Sequence, residues 1–134
     1  MRTTIRSAVL LLMMTTPALA AGLYRCDAKD AVSLQDDGTL GRDKVAESSR
    51  NKYEKIIVDT ATGAMRVGDD TPQIWTILSK GGPDNDFVAA AMPYHDPSQG
   101  VSESIRVRAW TGMETVLFVW HGLSVVSGTC EPIH

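Results

Sequence analysis

Two histidines of this sequence lie where an imidazole could take part in chemistry. His95 precedes Asp96 in a segment bounded by prolines, residues 92–98, and His121 lies between a tryptophan and a glycine. A histidine beside an aspartate can serve as a general base or a metal ligand, and a second histidine could extend the site. Neighbouring side chains generally point apart, however, and no spacing supplies a third ligand. We therefore interpret both histidines as loop or turn residues, and keep a metal-dependent enzyme that uses His95, Asp96 and His121 as an alternative.

A second candidate site is a short row of cationic and aromatic side chains. Arg106, Arg108 and Trp110 occupy every other position, so a strand would place all three on one face. Guanidinium and indole groups could bind an acidic or aromatic ligand through charge and stacking. We predict these three residues, together with His95, as binding residues. The alternative is an ordinary solvated sheet face over which the long side chains lie.

The sequence lacks the motifs that mark common catalytic sites. It has no Gly-x-Ser-x-Gly elbow, no glycine-rich phosphate loop and no paired histidines with zinc spacing. The acidic tracts at residues 36–37, 69–70 and 84–86 lack the spacing and distal glutamate of a calcium loop, and they are typical of turns. These features favour a binding or inhibitor-type module without metal or cofactor over an enzyme. A structural component of a cell-envelope assembly is a further alternative.

The chain has two cysteines, Cys26 and Cys130. An even number of cysteines in an exported protein predicts a disulfide. Bridging these two would close a loop of roughly 100 residues, which the chain-entropy treatment values at about 4.7 kcal/mol. A redox pair would require two cysteines close in sequence, and a zinc site would require clustered cysteine and histidine. Neither pattern is present, so we predict a structural bridge.

The amino terminus has the three-part layout of a secretory signal peptide. Arg2 and Arg6 precede an apolar stretch at residues 8–14, and a tract of small residues ends at Ala20 and Ala21. The apolar stretch is shorter than the roughly 20 residues that span a bilayer, so we expect no membrane anchor. We predict cleavage after Ala20, or alternatively after Ala21. Residues 1–20 are then a cleaved signal peptide, and residues 21–134 form a single exported domain in the periplasm or outside the cell.

The charge of the chain limits its partners. The net charge of the full sequence is −3, and loss of Arg2 and Arg6 with the leader would lower it to −5. An acidic protein without a cluster of Lys and Arg is a poor match for nucleic acid or an anionic membrane. We therefore expect the partner to be a small molecule or another exported or envelope protein.

Short β-branched and aromatic segments separated by turn residues predict a mainly β fold. Residues 104–110 alternate, with Ile105 and Val107 on the opposite face from Arg106. Three hairpins are predicted: 56–58 with 64–67, 74–78 with 87–91, and 115–120 with 123–129. The last should turn at His121-Gly122, with positive φ favoured at both positions.

About eight short strands must hide their edges, either in a small antiparallel β-barrel or in a β-sandwich. A bridge between Cys26 and Cys130 would make the first and last strands neighbours, which slightly favours a closed barrel. Residues 42–55 do not follow the strand pattern. They predict a short helix or a loop, with Asp43 as a candidate helix cap.

Overall fold

A computed structural model describes residues 22–91, 103–110 and 112–133 of the chain. The predicted signal peptide and the residues His95, Asp96 and His134 lie outside the described residues.

The described residues form one antiparallel sheet of ten strands and one α-helix. The elements in chain order are β1 (Leu23–Leu34), β2 (Leu40–Gly41), α1 (Lys44–Lys52), β3 (Lys55–Asp59), β4 (Ala64–Val67), β5 (Gln73–Ile74), β6 (Thr76–Lys80), β7 (Phe87–Ala91), β8 (Glu103–Arg108), β9 (Val116–His121) and β10 (Ser124–Ile133). The sheet order is β5-β4-β3-β1-β10-β9-β8-β7-β6, with β2 paired to the end of β1. The sheet curls into a nearly closed barrel, which decides between the two predicted architectures.

The first and last long strands are neighbours, as the cysteine positions predicted. Cys26 of β1 lies opposite Cys130 of β10, and a disulfide joins them across 104 positions of sequence. The two strands pair along almost their whole length, with a bulge between Ala28 and Asp30. The disulfide therefore links the first and last long strands, β1 and β10, across their pairing.

On the side of the barrel opposite the β1–β10 pair, residues 73–80 connect the two ends of the sheet order. Residues 73–74 pair with β4 and residues 76–80 pair with β7, so one nearly continuous segment bridges the two ends of the sheet order. The break falls at Trp75, whose backbone N–H donates to the carbonyl of Gly63 at 2.9 Å. Gly63 has φ +77°, and a Cβ there would lie 2.5 Å from the Trp75 carbonyl oxygen. Glycine is therefore required where the strand crosses over.

Alternation in the strands fills the barrel with apolar side chains. In β8, Ile105 and Val107 are buried whereas Arg106 is exposed, as the sequence pattern predicted. The largest fully buried side chains come from several strands and pack together: Trp120, Phe118, Ile56, Ile105, Val58, Val107, Val126 and Cys26. The barrel interior is thus occupied by the protein's own side chains.

Helix α1 covers one end of this barrel. Asp43 is its N-cap, and its carboxylate accepts a hydrogen bond from the backbone N–H of Ala46 at 2.8 Å, as the predicted cap requires. Most of the helix surface is polar, while Ala46 and the C-cap residue Tyr53 are buried in the core cluster. None of the helices in the described ranges has the length and apolar character needed to cross a membrane.

The β9–β10 connection differs from its prediction. His121 is still part of β9 and pairs with Val125, and the N–H of Gly122 donates to the carbonyl of Ser124 at 3.0 Å. The turn is therefore made by Gly122 and Leu123, one position later than predicted. Gly122 is not among the glycines with positive φ, and no non-glycine residue in the described part of the chain has positive φ. The prediction of a tight primed turn was wrong because β9 extends one residue further.

Candidate functional site

The two ends of the barrel carry different side chains. Strands of an antiparallel barrel alternate in direction, so the start of β8, the end of β9 and the start of β10 meet at one end. Helix α1 covers this end, which we call the helix end. The end of β8 and the start of β7 meet at the other, which we call the arginine end because Arg108 lies there.

Three aromatic rings pack together at the helix end. Trp120 points inward from β9, Tyr53 follows α1, and Trp75 fills the break between β5 and β6. The Tyr53 and Trp120 ring centroids are 4.3 Å apart, and those of Trp75 and Trp120 are 4.7 Å apart. All three side chains are buried. Ring separations and tilts of this kind are favourable for aromatic pairs, so the three packed rings stabilise the helix end of the barrel.

An acidic and a basic side chain lie beside the rings. The hydroxyl of Tyr53 donates to Oε1 of Glu103 at 2.8 Å, and the Lys52 ammonium lies 4.9 Å from the Tyr53 ring centroid. Burial, followed by the hydrogen bond to Glu103, raises the pKa of Tyr53. A polar interaction with Tyr53 is the main factor that raises the pKa of Lys52, and the charges of Glu103 and Asp70 act in the same direction. At neutral pH the site therefore holds a neutral tyrosine and a charged lysine.

The indole nitrogen of Trp120 is the unusual atom of the cluster. Trp120 is 2 % exposed, and among the described residues its Nε1 has no hydrogen-bond partner. A buried donor without an acceptor costs about 1–3 kcal/mol, and most buried polar groups avoid that cost. Among the buried side-chain nitrogen and oxygen atoms of the described residues, this donor is the one without a hydrogen-bond partner.

A glycine of the β9–β10 turn lies next to this nitrogen. A Cβ on Gly122 would lie 3.6 Å from Trp120 Nε1 and 3.7 Å from Glu103 Oε1, which are ordinary contact distances. The backbone of Gly122 therefore covers the indole edge of Trp120, whose Nε1 is not exposed to solvent.

An open cleft lies beside Gly122. It has a volume of about 400 Å³ and runs between α1 and the β9–β10 turn, and its lining includes Ser48, Gly122 and Leu123. A smaller cleft of about 90 Å³ lies on the other side of the cluster and reaches Trp75. Both clefts share four residues: Lys52, Tyr53, Glu103 and Trp120. We call this site the aromatic cleft.

Two exposed apolar side chains lie at the outer lip of the aromatic cleft. Val45 of α1 is 50 % exposed and Leu123 of the turn is 75 % exposed, and both line the larger cleft. Leu34 is 70 % exposed at the end of β1, whose Ser33 pairs with Ser124 beside the turn. Exposed apolar side chains collected in one place commonly mark a binding site.

The arginine end has polar groups that pair with one another. Asp86 accepts hydrogen bonds from Arg108 at 3.1 and 3.3 Å and from Arg106 at 3.4 Å. Its side chain is only 8 % exposed. Burial raises the pKa of Asp86, but the hydrogen bond and charge of Arg108 and the charge of Arg106 outweigh it, so the net pKa is lowered. Asp86 is therefore an ionised group held by two arginines.

The predicted binding residues Arg106, Arg108 and Trp110 do lie together. Arg106 and Arg108 extend from the outer face of β8, and the Arg108 guanidinium lies 4.5 Å from the ring centroid of Trp110, which is 36 % exposed. Trp110 itself lies beyond the end of the strand. Their role in binding stays a prediction. Sequence reasoning missed Asp86, which it treated as a turn residue although it holds both arginines.

The predicted histidine site cannot be assembled from the described residues. His121 is exposed on the outer face of β9, opposite Ser104 and Val125. His95 and Asp96 lie outside the described residues, so their part in binding or in a metal site stays a prediction. Within residues 22–91, 103–110 and 112–133, no three or more His, Cys, Asp or Glu side chains are grouped as metal ligands.

Sequence reasoning also missed the aromatic cleft. Its shared residues come from α1, β8 and β9, and no spacing motif links them. One signal was available: Trp120 is the last apolar residue of β9 and points inward, and an inward indole N–H requires an acceptor that the strand itself cannot supply.

Comparison of the chain with protein-family models, with curated proteins and with solved structures finds no match.

Proposed function

We propose that this protein is a periplasmic or secreted binding module and that its ligand site is the aromatic cleft. The observation that carries the proposal is an open cleft of about 400 Å³ that is lined by the aromatic residues Tyr53 and Trp120 and by the exposed apolar side chains of Val45 and Leu123. Small-molecule sites are typically concave, mostly apolar and supplied with a few polar groups. The aromatic cleft combines these features.

The packing of the barrel supports a site at its end over a site inside it. Trp120, Phe118 and Ile105 fill the interior, so a carrier of the kind that encloses an apolar ligand would have to displace its own core. The cleft at the helix end is open without such a change. Its volume also falls in the usual range for small ligands.

The arginine end is a weaker candidate for the site. Arg108 donates two hydrogen bonds to Asp86 and lies over Trp110, so much of its bonding capacity is already used. A ligand there would compete with these contacts and would leave the buried carboxylate of Asp86 unpaired. The aromatic cleft has no comparable cost, because none of the salt bridges among the described residues involves a residue that lines the larger cleft.

The proposed compartment is supported by the disulfide between Cys26 and Cys130. Structural disulfides persist in oxidising compartments and are rare in the cytosol. This agrees with the predicted signal peptide, whose removal can be measured by the mass of the protein recovered from its native compartment.

A cleft-filling substitution tests the proposed function. In Gly122→Leu the added Cβ would contact Trp120 and Glu103, and the rest of the side chain would narrow the larger cleft that Gly122 lines. The matched control is Gly82→Leu, because Gly82 lies in a turn with an open surrounding, where the nearest atom to an added Cβ is 3.9 Å away. Both variants should fold, since neither glycine has positive φ.

The measurement is amide NMR of the disulfide-bonded protein, titrated with two probes, phenylpropanol and phenylpropanoate. We expect saturable shifts at Ser48, Ser49 and Leu123 with at least one probe in the wild type and in Gly82→Leu, and their loss in Gly122→Leu. The proposal is overturned if neither probe gives saturable shifts at these residues, or if the shifts persist in Gly122→Leu.

A further inference from the structure

We infer that the larger cleft binds an organic anion whose charged group pairs with Lys44 and accepts a hydrogen bond from Ser48. The apolar body of the ligand then lies against Val45 and Leu123 at the lip of the cleft. This inference rests on the proposed function and specifies the chemical class of the ligand that the same site takes.

One side of helix α1 forms a wall of the larger cleft. Lys44, Ser48 and Lys52 are spaced four residues apart, so they lie on the same side of the helix, and all three line the cleft. Ser48 lies about one helical turn from each lysine. An ammonium and a hydroxyl on consecutive turns can both donate hydrogen bonds to one anionic group. None of the helix residues that line this cleft is a carboxylate.

Charge distinguishes the larger cleft from the smaller one. Among the described residues that line them, both clefts share Lys52 and Glu103, but the larger cleft adds Lys44 and the smaller one adds Asp70. Two lysines and one glutamate give the larger cleft a net charge of +1, whereas one lysine and two carboxylates give the smaller cleft −1. The chain as a whole has a net charge of −3. The larger cleft is thus a positive site on an acidic protein, which favours an anion over a cation.

The ammonium group of Lys44 can pair with a ligand at little cost. Lys44 is exposed, and it takes part in none of the salt bridges among the described residues. The carboxylates nearest to it in sequence, Asp43 and Glu47, line a separate groove and not the larger cleft. Asp43 also accepts a hydrogen bond from the N–H of Ala46 at 2.8 Å. A ligand anion would therefore add an ion pair at Lys44 without breaking a salt bridge of the described residues.

The opposite end of the helix is a poorer position for the anion. Lys52 already interacts with Tyr53, and an anion beside Lys52 would lie near the carboxylate of Glu103. Like charges at short distance repel. Lys44 begins α1 and Lys52 ends it, so the two positions are about 12 Å apart along the helix axis. The anionic group is therefore best placed toward Lys44.

The rest of the ligand should be apolar. Val45 follows Lys44 in α1 and is 50 % exposed, and Leu123 of the β9–β10 turn is 75 % exposed; both line the larger cleft. Covering these two side chains removes apolar surface from water and favours binding. The apolar body then supplies much of the affinity, and the charge selects the ligand.

The test compares three probes that share a phenylpropyl body and differ in the terminal group: phenylpropanoate, phenylpropanol and phenylpropylamine. Amide NMR shifts at Ser48, Ser49 and Leu123 measure each affinity. We expect the wild type to bind phenylpropanoate about five- to tenfold more tightly than phenylpropanol, as for one charge-assisted hydrogen bond, and phenylpropylamine most weakly. The preference for the carboxylate should shrink in about 1 M salt, because salt screens an exposed ion pair.

Two substitutions of lysine sharpen the assignment. Lys44→Gln removes the charge but keeps a polar side chain, so phenylpropanoate should bind this variant within about twofold of phenylpropanol. The matched control is Lys80→Gln, which changes the net charge equally. Lys80 pairs with Phe87 at the arginine end and lines neither part of the aromatic cleft, so the control should keep the wild-type preference. Both lysines are exposed, so both variants should fold.

The anion subsite is overturned, with the proposed function intact, by any of three results. In the first, phenylpropanol or phenylpropylamine binds the wild type as tightly as phenylpropanoate. In the second, the preference for phenylpropanoate persists in Lys44→Gln. In the third, it is lost equally in Lys80→Gln, which would assign it to the overall charge. Absence of saturable shifts at the cleft residues with both phenylpropanoate and phenylpropanol overturns the proposed function itself.

Discussion

The helix end and the arginine end of the barrel are both rich in aromatic and charged side chains, but they differ in how their polar atoms are partnered. At the arginine end, Asp86 is buried and two arginines bind it. At the helix end, Trp120 is buried just as deeply, yet its indole nitrogen has no partner in the described part of the chain.

This difference separates a structural network from a candidate binding site. Ionised groups that already hydrogen-bond to one another gain little from a ligand, because each new contact replaces an existing one. A ligand in the cleft at the helix end would break none of the salt bridges of the described residues, because none involves a residue that lines this cleft. The conspicuous charges of Arg106 and Arg108 are therefore a poorer guide to binding than an open cleft lined by aromatic and apolar side chains.

The largest contrast is expected between Trp120 at the helix end and Trp110 at the arginine end. Trp120→Ala should lower the free energy of unfolding by about 3–5 kcal/mol, because it leaves a cavity beneath Tyr53 and Trp75. Trp110→Ala should cost less than about 1 kcal/mol, since Trp110 is partly exposed and contacts Arg108 mainly by stacking. Urea unfolding with the disulfide intact measures both values. Equal losses would contradict the assignment of Trp120 to the core.

A smaller effect on stability is expected when Asp86, the carboxylate at the arginine end, is substituted. Asp86→Asn should lower the free energy of unfolding by about 1–3 kcal/mol, because the charge-assisted hydrogen bonds to Arg108 are weakened in a site where Asp86 is only 8 % exposed. The matched control is Asp84→Asn, two residues away and exposed, which should change stability by less than about 0.5 kcal/mol. If the two variants are equally stable, the network does not support the fold.

The same carboxylate should give the protein a measurable pH dependence. The folded-state pKa of Asp86 is lowered, so its stabilising contribution is complete above the ordinary value of about 4 and is lost as the pH falls through the folded pKa. The stability difference between wild type and Asp86→Asn should therefore shrink as the pH is lowered below about 4. The comparison isolates Asp86 from other carboxyl groups whose pKa is also lowered, such as Asp43 and Asp59. A constant difference from pH 7 downward would rule out this linkage.

The smallest effects should distinguish the two arginines. Arg108→Gln should cost about 1 kcal/mol, because it removes two hydrogen bonds to Asp86. Arg106→Gln should cost less than about 0.5 kcal/mol, since Arg106 makes one contact at 3.4 Å and its side chain is 59 % exposed. Thermal or urea unfolding of the pair resolves the order. The reverse order would mean that the outer residue of the network holds Asp86.

Much of the fold could be predicted from the sequence, because its strands obey local rules. The alternation of apolar and polar residues predicted β8 and the burial of Ile105 and Val107. The turn residues predicted the positions of the hairpins, and Asp43 predicted the start of α1. Each of these features depends on residues a few positions apart. The β9–β10 turn was misplaced by one residue, because the end of β9 depends on its pairing with β10 and not on the turn residues alone.

The candidate site could not be predicted in the same way. Tyr53 and Glu103 are 50 residues apart in sequence, and Arg108 and Asp86 are 22 apart. No pattern in the chain states which residues will meet at such separations, because that depends on strand order and register.

The sequence by itself determined that the chain forms short antiparallel strands, one capped helix and a pair of cysteines able to join its ends. Only the tertiary structure decided that Asp86 would pair with the arginines and that Tyr53, Glu103 and Trp120 would meet beside an open cleft. The physical reason is that local conformation follows from neighbouring residues, whereas the partner of a buried polar atom is set by the packing of the whole barrel.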